Sequence, residues 1–222
     1  MTDNQLNKNL VRQYCNTDTP TIFEIGCADG RDTEEFIKTF IDLDFKLYCF
    51  EPYEPNVMEF RNVIKDNRVK LYQVAIGDID GEVDFNVSLN NNLYSSSLKE
   101  PGDALFNTWS WLFPNKFSFG KTKVKSITLD TFTKENNIEL IDFVWLDCQG
   151  AEDLVIKGGK QTFKNKVRYL YTEYSNQEIY KGEPSLDKIL RMLPTYSLIE
   201  NMHNTNGDLL GGFVLLKNNI FV

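Results

Sequence analysis

From Thr21 onward the chain alternates between short apolar runs and longer stretches with apolar residues at every third or fourth position. The first pattern suits strands buried on both faces, the second amphipathic helices. Thr21 to Ile25, Lys46 to Phe50, Val69 to Ile76, Ile141 to Leu146 and Val167 to Tyr174 read as strands. Between them, Phe36, Ile37, Phe40 and Ile41 share a helical face, as do Val57, Phe60 and Ile64 behind Pro55. Leu129 to Asn136 reads as a short helix, another starts near Gly150, and Leu186, Ile189, Leu190 and Leu193 mark a third. Leu6, Leu10, Val11 and Tyr14 predict an amino-terminal helical segment within residues 1–20.

Strand and helix in alternation predict an α/β fold, a doubly wound, mainly parallel sheet covered on both faces. Two segments stand apart. Gly81 to Leu89 alternates Val83, Phe85, Val87 and Leu89, which predicts an added β segment, antiparallel to its neighbour. Lys123 to Ile127 reads as a further short strand, and Tyr196 to Asn201 with Gly212 to Leu216 as a hairpin around Asn204 to Gly207. Residues 90–121, rich in Asn, Ser, Pro, Gly and aromatics, lack a period and read as a lid or substrate loop. The 222 residues suit one domain.

Composition narrows the partners. A net charge of −8 and no basic tract argue against nucleic acid, whose phosphates demand clustered Lys and Arg. Four cysteines without C-x-x-C spacing, and a single histidine, predict buried free thiols and no metal site. Met1 to Leu10 is polar and no long apolar run follows, so the expectation is a cytoplasmic protein with no membrane segment.

The candidate chemistry begins at Glu24-Ile25-Gly26-Cys27-Ala28-Asp29-Gly30, a strand-end acid followed by two spaced glycines and a helix start. Such a loop suits a nucleoside-bearing cofactor at the carboxyl end of a doubly wound sheet. Glu51 follows Gly30 by 21 positions, where an acid accepts hydrogen bonds from ribose hydroxyls. Glu24, Glu51, Asp147 and Glu173 all close strands, which gathers four acids at one end of the sheet. A nicotinamide or flavin dinucleotide is the competing cofactor, but its third small residue is absent because Arg31 stands there. A P-loop is excluded, since no Gly-Lys-Ser/Thr follows the glycines.

Four segments carry a resemblance to the FkbM family of S-adenosylmethionine-dependent methyltransferases: Phe23 to Gly30, Phe50-Glu51-Pro52, Val74 to Asp78 and Leu146 to Glu152. Ser95 to Leu98 and Ile127 to Phe132 are similar to the family as well. The resemblance implies O-methylation of sugars or glycan-like acceptors on a Rossmann-like sheet with an antiparallel last strand. It implies that Glu24, Gly26 and Gly30 line the methionine moiety of S-adenosylmethionine and that Glu51 holds the ribose. It further implies that Gln73, Ala75 and Asp78 approach the adenine and that Asp147 lies near the methyl group. Two departures stand out: Trp145 occupies a position where the family carries lysine, and Gln149 one where it carries glutamate.

Methyl transfer to an alcohol requires removal of a proton, and Asp147, Glu173 and His203 are the candidate bases. Asp147 equally suits a grip on the cofactor's amino group or a helix cap. The tract Trp109, Trp111, Phe113, Phe117 and Phe119 fits a sugar-stacking lid, a satellite core or a homodimer contact. Two alternatives remain at this point, a nicotinamide-dependent oxidoreductase and a cofactor-binding protein without catalysis.

Overall fold

The computed structural model describes residues 7–89, 93–106, 118–203 and 211–221, without the side chains of Leu93 and His203. Helix α1 (Lys8–Tyr14) precedes β1 (Thr21–Ile25), α2 (Arg31–Thr39), β2 (Lys46–Phe50), α3 (Glu54–Val63) and β3 (Val69–Tyr72). Then come β4 (Ala75–Gly77), β5 (Gly81–Ser88), a 3₁₀ turn (Leu93–Ser95), β6 (Phe119–Thr128), α4 (Leu129–Glu135) and β7 (Ile141–Leu146). The remainder is α5 (Glu152–Gly158), α6 (Lys160–Asn165), β8 (Val167–Ser175), α7 (Leu186–Met192), β9 (Tyr196–His203) and β10 (Gly211–Asn218).

Seven strands form the main sheet in the order β3-β2-β1-β7-β8-β10-β9. β1, β2, β3, β7 and β8 pair in parallel, whereas β10 runs antiparallel to both β8 and β9. The order reverses between β1 and β7, so their carboxyl ends open a crevice at the switch point.

Side-chain alternation builds one core on each face. Phe23, Ile25, Val144 and Leu146 point to the layer that also contains Phe132, Val155 and Phe163. Ile22, Leu47, Phe143 and Trp145 point to the opposite layer with Val11, Phe36, Phe40 and Phe60. The helix starts follow local chemistry: Thr128 Oγ1 accepts from the Thr131 N–H at 3.2 Å, and Ser185 Oγ from that of Lys188 at 3.4 Å.

The third strand departs from the sequence expectation. The apolar run from Val69 to Ile76 is two strands, because the chain turns away after Tyr72 and β4 leaves the main sheet. β4 pairs in parallel with β6, and β5 pairs antiparallel with the other edge of β6, giving a separate three-stranded sheet. β6 is also longer than expected, starting at Phe119 inside the segment read as a loop. The tract Trp109 to Phe117 and the turn Asn204 to Gly207 lie outside the described residues.

The small sheet is tied to the large one through Gly158. A Cβ at this position would lie 1.9 Å from the carbonyl oxygen of Gly77, so α5 packs backbone to backbone on β4. Gly158→Ala is expected to destabilise the fold by about 2 kcal/mol or more, since overpacking alone costs ~1–3 kcal/mol and here the obstacle is backbone. Chemical denaturation of the ligand-free variant reads this as a lower midpoint.

Candidate active site

Three strand ends are laced together before any ligand is considered. The Asp147 N–H donates to the Ile25 carbonyl at 3.0 Å, and the N–H groups of Gly26 and Cys27 donate to the Phe50 carbonyl at 3.0 and 3.2 Å. Gly26 has φ +92°, and a Cβ there would lie 1.9 Å from the Asp147 carbonyl oxygen. The residue must be glycine to let β1 turn beneath the end of β7. A side chain at 26 would therefore strain the fold as well as the cleft. Ala28, at φ 44°, takes the left-handed conformation in the same turn.

The crevice has two compartments that share Gly26, Ala28, Tyr94, Asp147 and Gln149. One is apolar, walled by Phe50, Val74, Ala75, Ile76, Phe85 and Leu98, with Glu51, Asn56 and Ser96 as the polar groups that are its own. Glu51 is 5% exposed and accepts from the Tyr53 N–H at 2.8 Å. Burial pushes its carboxyl up to about 7, against hydrogen bonds from the Tyr53 backbone, the Asn56 side chain and the Ala28 backbone. The other compartment is polar, lined by Asp29, Arg31, Asp32, Glu35, Asp147 and Gln149. Tyr94 borders both, its hydroxyl donating to Asp29 at 2.8 Å and its ring lying 4.5 Å from the Arg31 guanidinium.

Asp147 is half-buried, and its Oδ1 accepts from the Gln149 side-chain amide at 2.7 Å. Burial raises its carboxyl and neighbouring Asp32 adds to that, while Gln149 and the Lys8 ammonium oppose it. Behind it stands a buried acid group. Glu152 accepts from the N–H groups of Cys148 and Gly150 at 3.0 and 3.3 Å, and burial pushes it up to about 8. Glu173 is held well above the usual carboxylate range by burial, then by Asp147, Glu152 and Glu183.

The structure thus sorts the residues singled out from sequence. Gly26, Glu51, Ala75 and Asp147 line the shared crevice. Glu24 does not: it pairs with Cys49 and Trp145 across the sheet and points under α2, accepting from Thr33 Oγ1 at 2.6 Å. Burial, with Asp32 second, pushes it up to about 8. Gly30 caps α2 with φ 91°, and a Cβ there would meet the Phe60 ring at 2.9 Å, so helix packing requires it. Gln73 lines a different groove beside Glu54, Asp78 pairs with Lys157 at 2.6 Å, and Glu173 lines neither compartment. His203 ends β9, three strand spacings or roughly 14 Å from the end of β7.

Asn56, Tyr94, Asp32 and Glu35 are cleft residues that the sequence reading missed. Asp32 and Glu35 were readable, since one helical turn separates them at the start of α2. Trp145, at the family's lysine position, is fully buried with the Lys8 ammonium 3.8 Å above its ring.

Comparison with known proteins decides the assignment. The Methyltransferase FkbM domain model matches residues 24–202. The chain belongs to the FkbM methyltransferase family. It is 36% identical over 198 residues to the 2-O-methyltransferase NoeI of Sinorhizobium fredii (strain NBRC 101917 / NGR234), covering 86% of this chain and 78% of that protein. Among solved structures it resembles the methyltransferase FkbM of Methylobacillus flagellatus KT, with a TM-score of 0.57 at 14% identity. That match covers 90% of this chain but only 44% of the larger protein. The magnesium protoporphyrin IX methyltransferase ChlM of Synechocystis PCC 6803, solved with bound S-adenosylmethionine, shares the fold with a TM-score of 0.51 at 9% identity, over 97% of this chain and 79% of that one.

The protein is a methyltransferase whose cofactor is S-adenosylmethionine, and the nicotinamide alternative is set aside. The cleft fits that cofactor, with apolar walls for a purine beside a buried carboxylate for two hydroxyls. No helix among the described residues is long and apolar enough to cross a membrane.

Two outcomes follow from the buried acids. Glu51→Ala is expected to weaken binding of S-adenosylhomocysteine by about tenfold or more by calorimetry, because charge-assisted hydrogen bonds contribute ~1.5–3 kcal/mol each. The folded-state values for Glu24, Glu152 and Glu51 are about 8, 8 and 7 against an ordinary 4.5. The folded state therefore holds protons that the unfolded state has released, and stability falls as pH rises from 4.5 towards 8. The ligand-free protein should melt at a higher temperature near about pH 6 than about pH 8, with Glu24→Gln narrowing the difference.

Proposed function

We propose that this enzyme methylates a hydroxyl of a sugar, glycan or related small acceptor, and that residues 1–222 act as one catalytic domain. The observation that carries this reading is the Asp147 carboxylate at the junction of the two compartments, fixed by the Gln149 amide. The 2-O-methyltransferase relative, matching 86% of the chain, supports a hydroxyl acceptor.

When bound, S-adenosylmethionine supplies a methyl group on a sulfonium, which leaves the protein the tasks of alignment and proton removal. The apolar walls and Glu51 hold the nucleoside. Asp147 takes the proton of the acceptor hydroxyl, and burial, which raises its carboxyl above the ordinary value, strengthens it as a base. Tyr94 and the turn that carries it border the acceptor's way in, in keeping with a substrate loop. Asp29, Asp32 and Glu35 make the polar compartment acidic, which repels a polyphosphate backbone and favours a neutral, hydroxyl-rich acceptor.

The test is methyl incorporation from labelled S-adenosylmethionine into free sugars, oligosaccharides and nucleotide-activated sugars, with RNA as the opposing substrate. Label on a sugar hydroxyl supports the reading, and label found only in RNA overturns it. With that acceptor, Asp147→Asn should lower kcat by ~10²-fold or more while affinity for S-adenosylhomocysteine stays within about threefold. A loss of affinity with kcat retained would make Asp147 a cofactor grip instead.

A further inference from the structure

Beyond the two compartments, the rim of the large sheet continues as a row of side chains on one face. β7 and β8 pair Leu146 with Thr172, so Asp147 and Glu173 follow side by side. Glu173 pairs with Phe213 of β10, and Phe213 with Met202 of β9. Residues directly opposite one another share a face of the sheet. Neighbouring strands lie about 4.8 Å apart, which puts Glu173 one spacing from Asp147 and Phe213 roughly 10 Å from it. The face is the one that carries Trp145 and Tyr171, by the alternation along β7 and β8. On the same face Asp147 opens into the polar compartment, beside Asp32 and Glu35 of α2.

Phe213 is half-buried at this rim, and what lies beneath it fixes its ring. The ring stacks on that of Tyr171 at 5.4 Å and 7°, and Tyr171 in turn lies 4.1 Å from Trp145. Tyr171 and Trp145 are fully buried, whereas Phe213, Glu173 and Met202 keep part of their surface open. The Glu173 carboxyl has no hydrogen-bond or ion-pair partner among the described residues. Neither Glu173 nor Phe213 lines either compartment, so the row meets the cofactor crevice only at Asp147. An aromatic face beside an unpartnered carboxyl is the chemistry a sugar ring asks for, with its apolar C–H face and its rim of hydroxyls. The row carries no Lys or Arg and adjoins the acidic compartment, which suits a neutral ring better than a phosphorylated one.

We propose that this row is the acceptor subsite: a neutral sugar ring lays its apolar face against Phe213, gives one hydroxyl to the Glu173 carboxyl and brings another to Asp147. The assignment rests on the sugar reading given above. A Phe213 that merely covers the Tyr171 ring is the competing account, and acceptor kinetics separate the two.

The experiment takes the sugar acceptor identified by methyl incorporation and compares wild type with Phe213→Leu, Phe213→Tyr, Glu173→Leu and Glu173→Gln. Leu keeps apolar bulk without a ring or a hydrogen bond, whereas Tyr keeps the ring and Gln the hydrogen bonding. Phe213→Leu and Glu173→Leu should each raise KM for the acceptor about tenfold, with kcat and the affinity for S-adenosylhomocysteine within about threefold of wild type. Phe213→Tyr and Glu173→Gln should stay within about threefold of wild type in KM. An unchanged acceptor KM in Phe213→Leu, whatever its melting temperature, means that the ring only covers Tyr171 and overturns the proposal. So does an equal loss of S-adenosylhomocysteine affinity, which would put the row in the cofactor site. A collapse of kcat in Glu173→Gln would make Glu173 the base and overturn it too. If Phe213→Leu does not fold, Phe213→Met takes its place with the same expectations. Wild type that labels no sugar overturns both this assignment and the reading beneath it. Wild type that labels a sugar while the variants keep its KM overturns this assignment alone.

Discussion

Everything in the cleft depends on how closely β1 approaches the end of β7. Gly26 passes the Asp147 carbonyl at a distance that leaves no room for a Cβ, and the Asp147 N–H is committed to the Ile25 carbonyl. The same turn hangs from the Phe50 carbonyl through two N–H groups. Three strand ends are thereby fixed to one another through backbone alone, and Glu51 and Asp147 inherit their positions from that lacing. A cleft built this way has a floor of backbone hydrogen bonds and walls of side chains. Tyr94 belongs to the walls, attached by one hydrogen bond and one stacked guanidinium.

Much of this was legible because the strands announce themselves by composition and the loops by their glycines. The parallel core strands, the helices between them and the added antiparallel strand were all readable. The break after Tyr72 was not, since Val74-Ala75-Ile76 continues the apolar run and nothing local marks a change of sheet. Glu24 shows a different failure. A strand-end acid next to a glycine loop looks the same whether it faces the ligand or the helix layer. Strand parity held the answer, because Glu24 shares a face with Ile22, and that face is covered by α2. Lys8 left no mark in the sequence, as 24 positions separate it from Asp32 and only the docking of α1 brings them together. The family resemblance pointed to loops that border the crevice, and geometry then decided which side chains on them face it.

The electrostatic character of the protein is split. Its surface carries the net negative charge through solvated side chains, many of them in exposed ion pairs that contribute little to stability. Its interior gathers Glu24, Glu152 and Glu173 in positions where ionisation is resisted. Glu152 shows why such a group is tolerated: it bonds two backbone N–H groups of the turn after β7, a turn in which Gln149 and Gly150 adopt positive φ. Replacing that carboxyl would leave two buried donors without acceptors, so the acid stabilises the loop that presents Asp147.

The antiparallel β10 carries a consequence for how the chain is made. It lies between β8 and β9, and Asn218 at its end donates to the carbonyls of Phe163, Lys164 and Val167 at 2.9–3.1 Å. On the ribosome β8 and β9 emerge before the strand that joins them. Until β10 arrives, β8 exposes an unpaired edge with Leu170 and Tyr171 beside it, the kind of surface that recruits other chains. A chain without β10 would keep the strand ends that form the crevice but present an unfinished sheet. The last strand to be made is therefore the one that removes the open edge of β8.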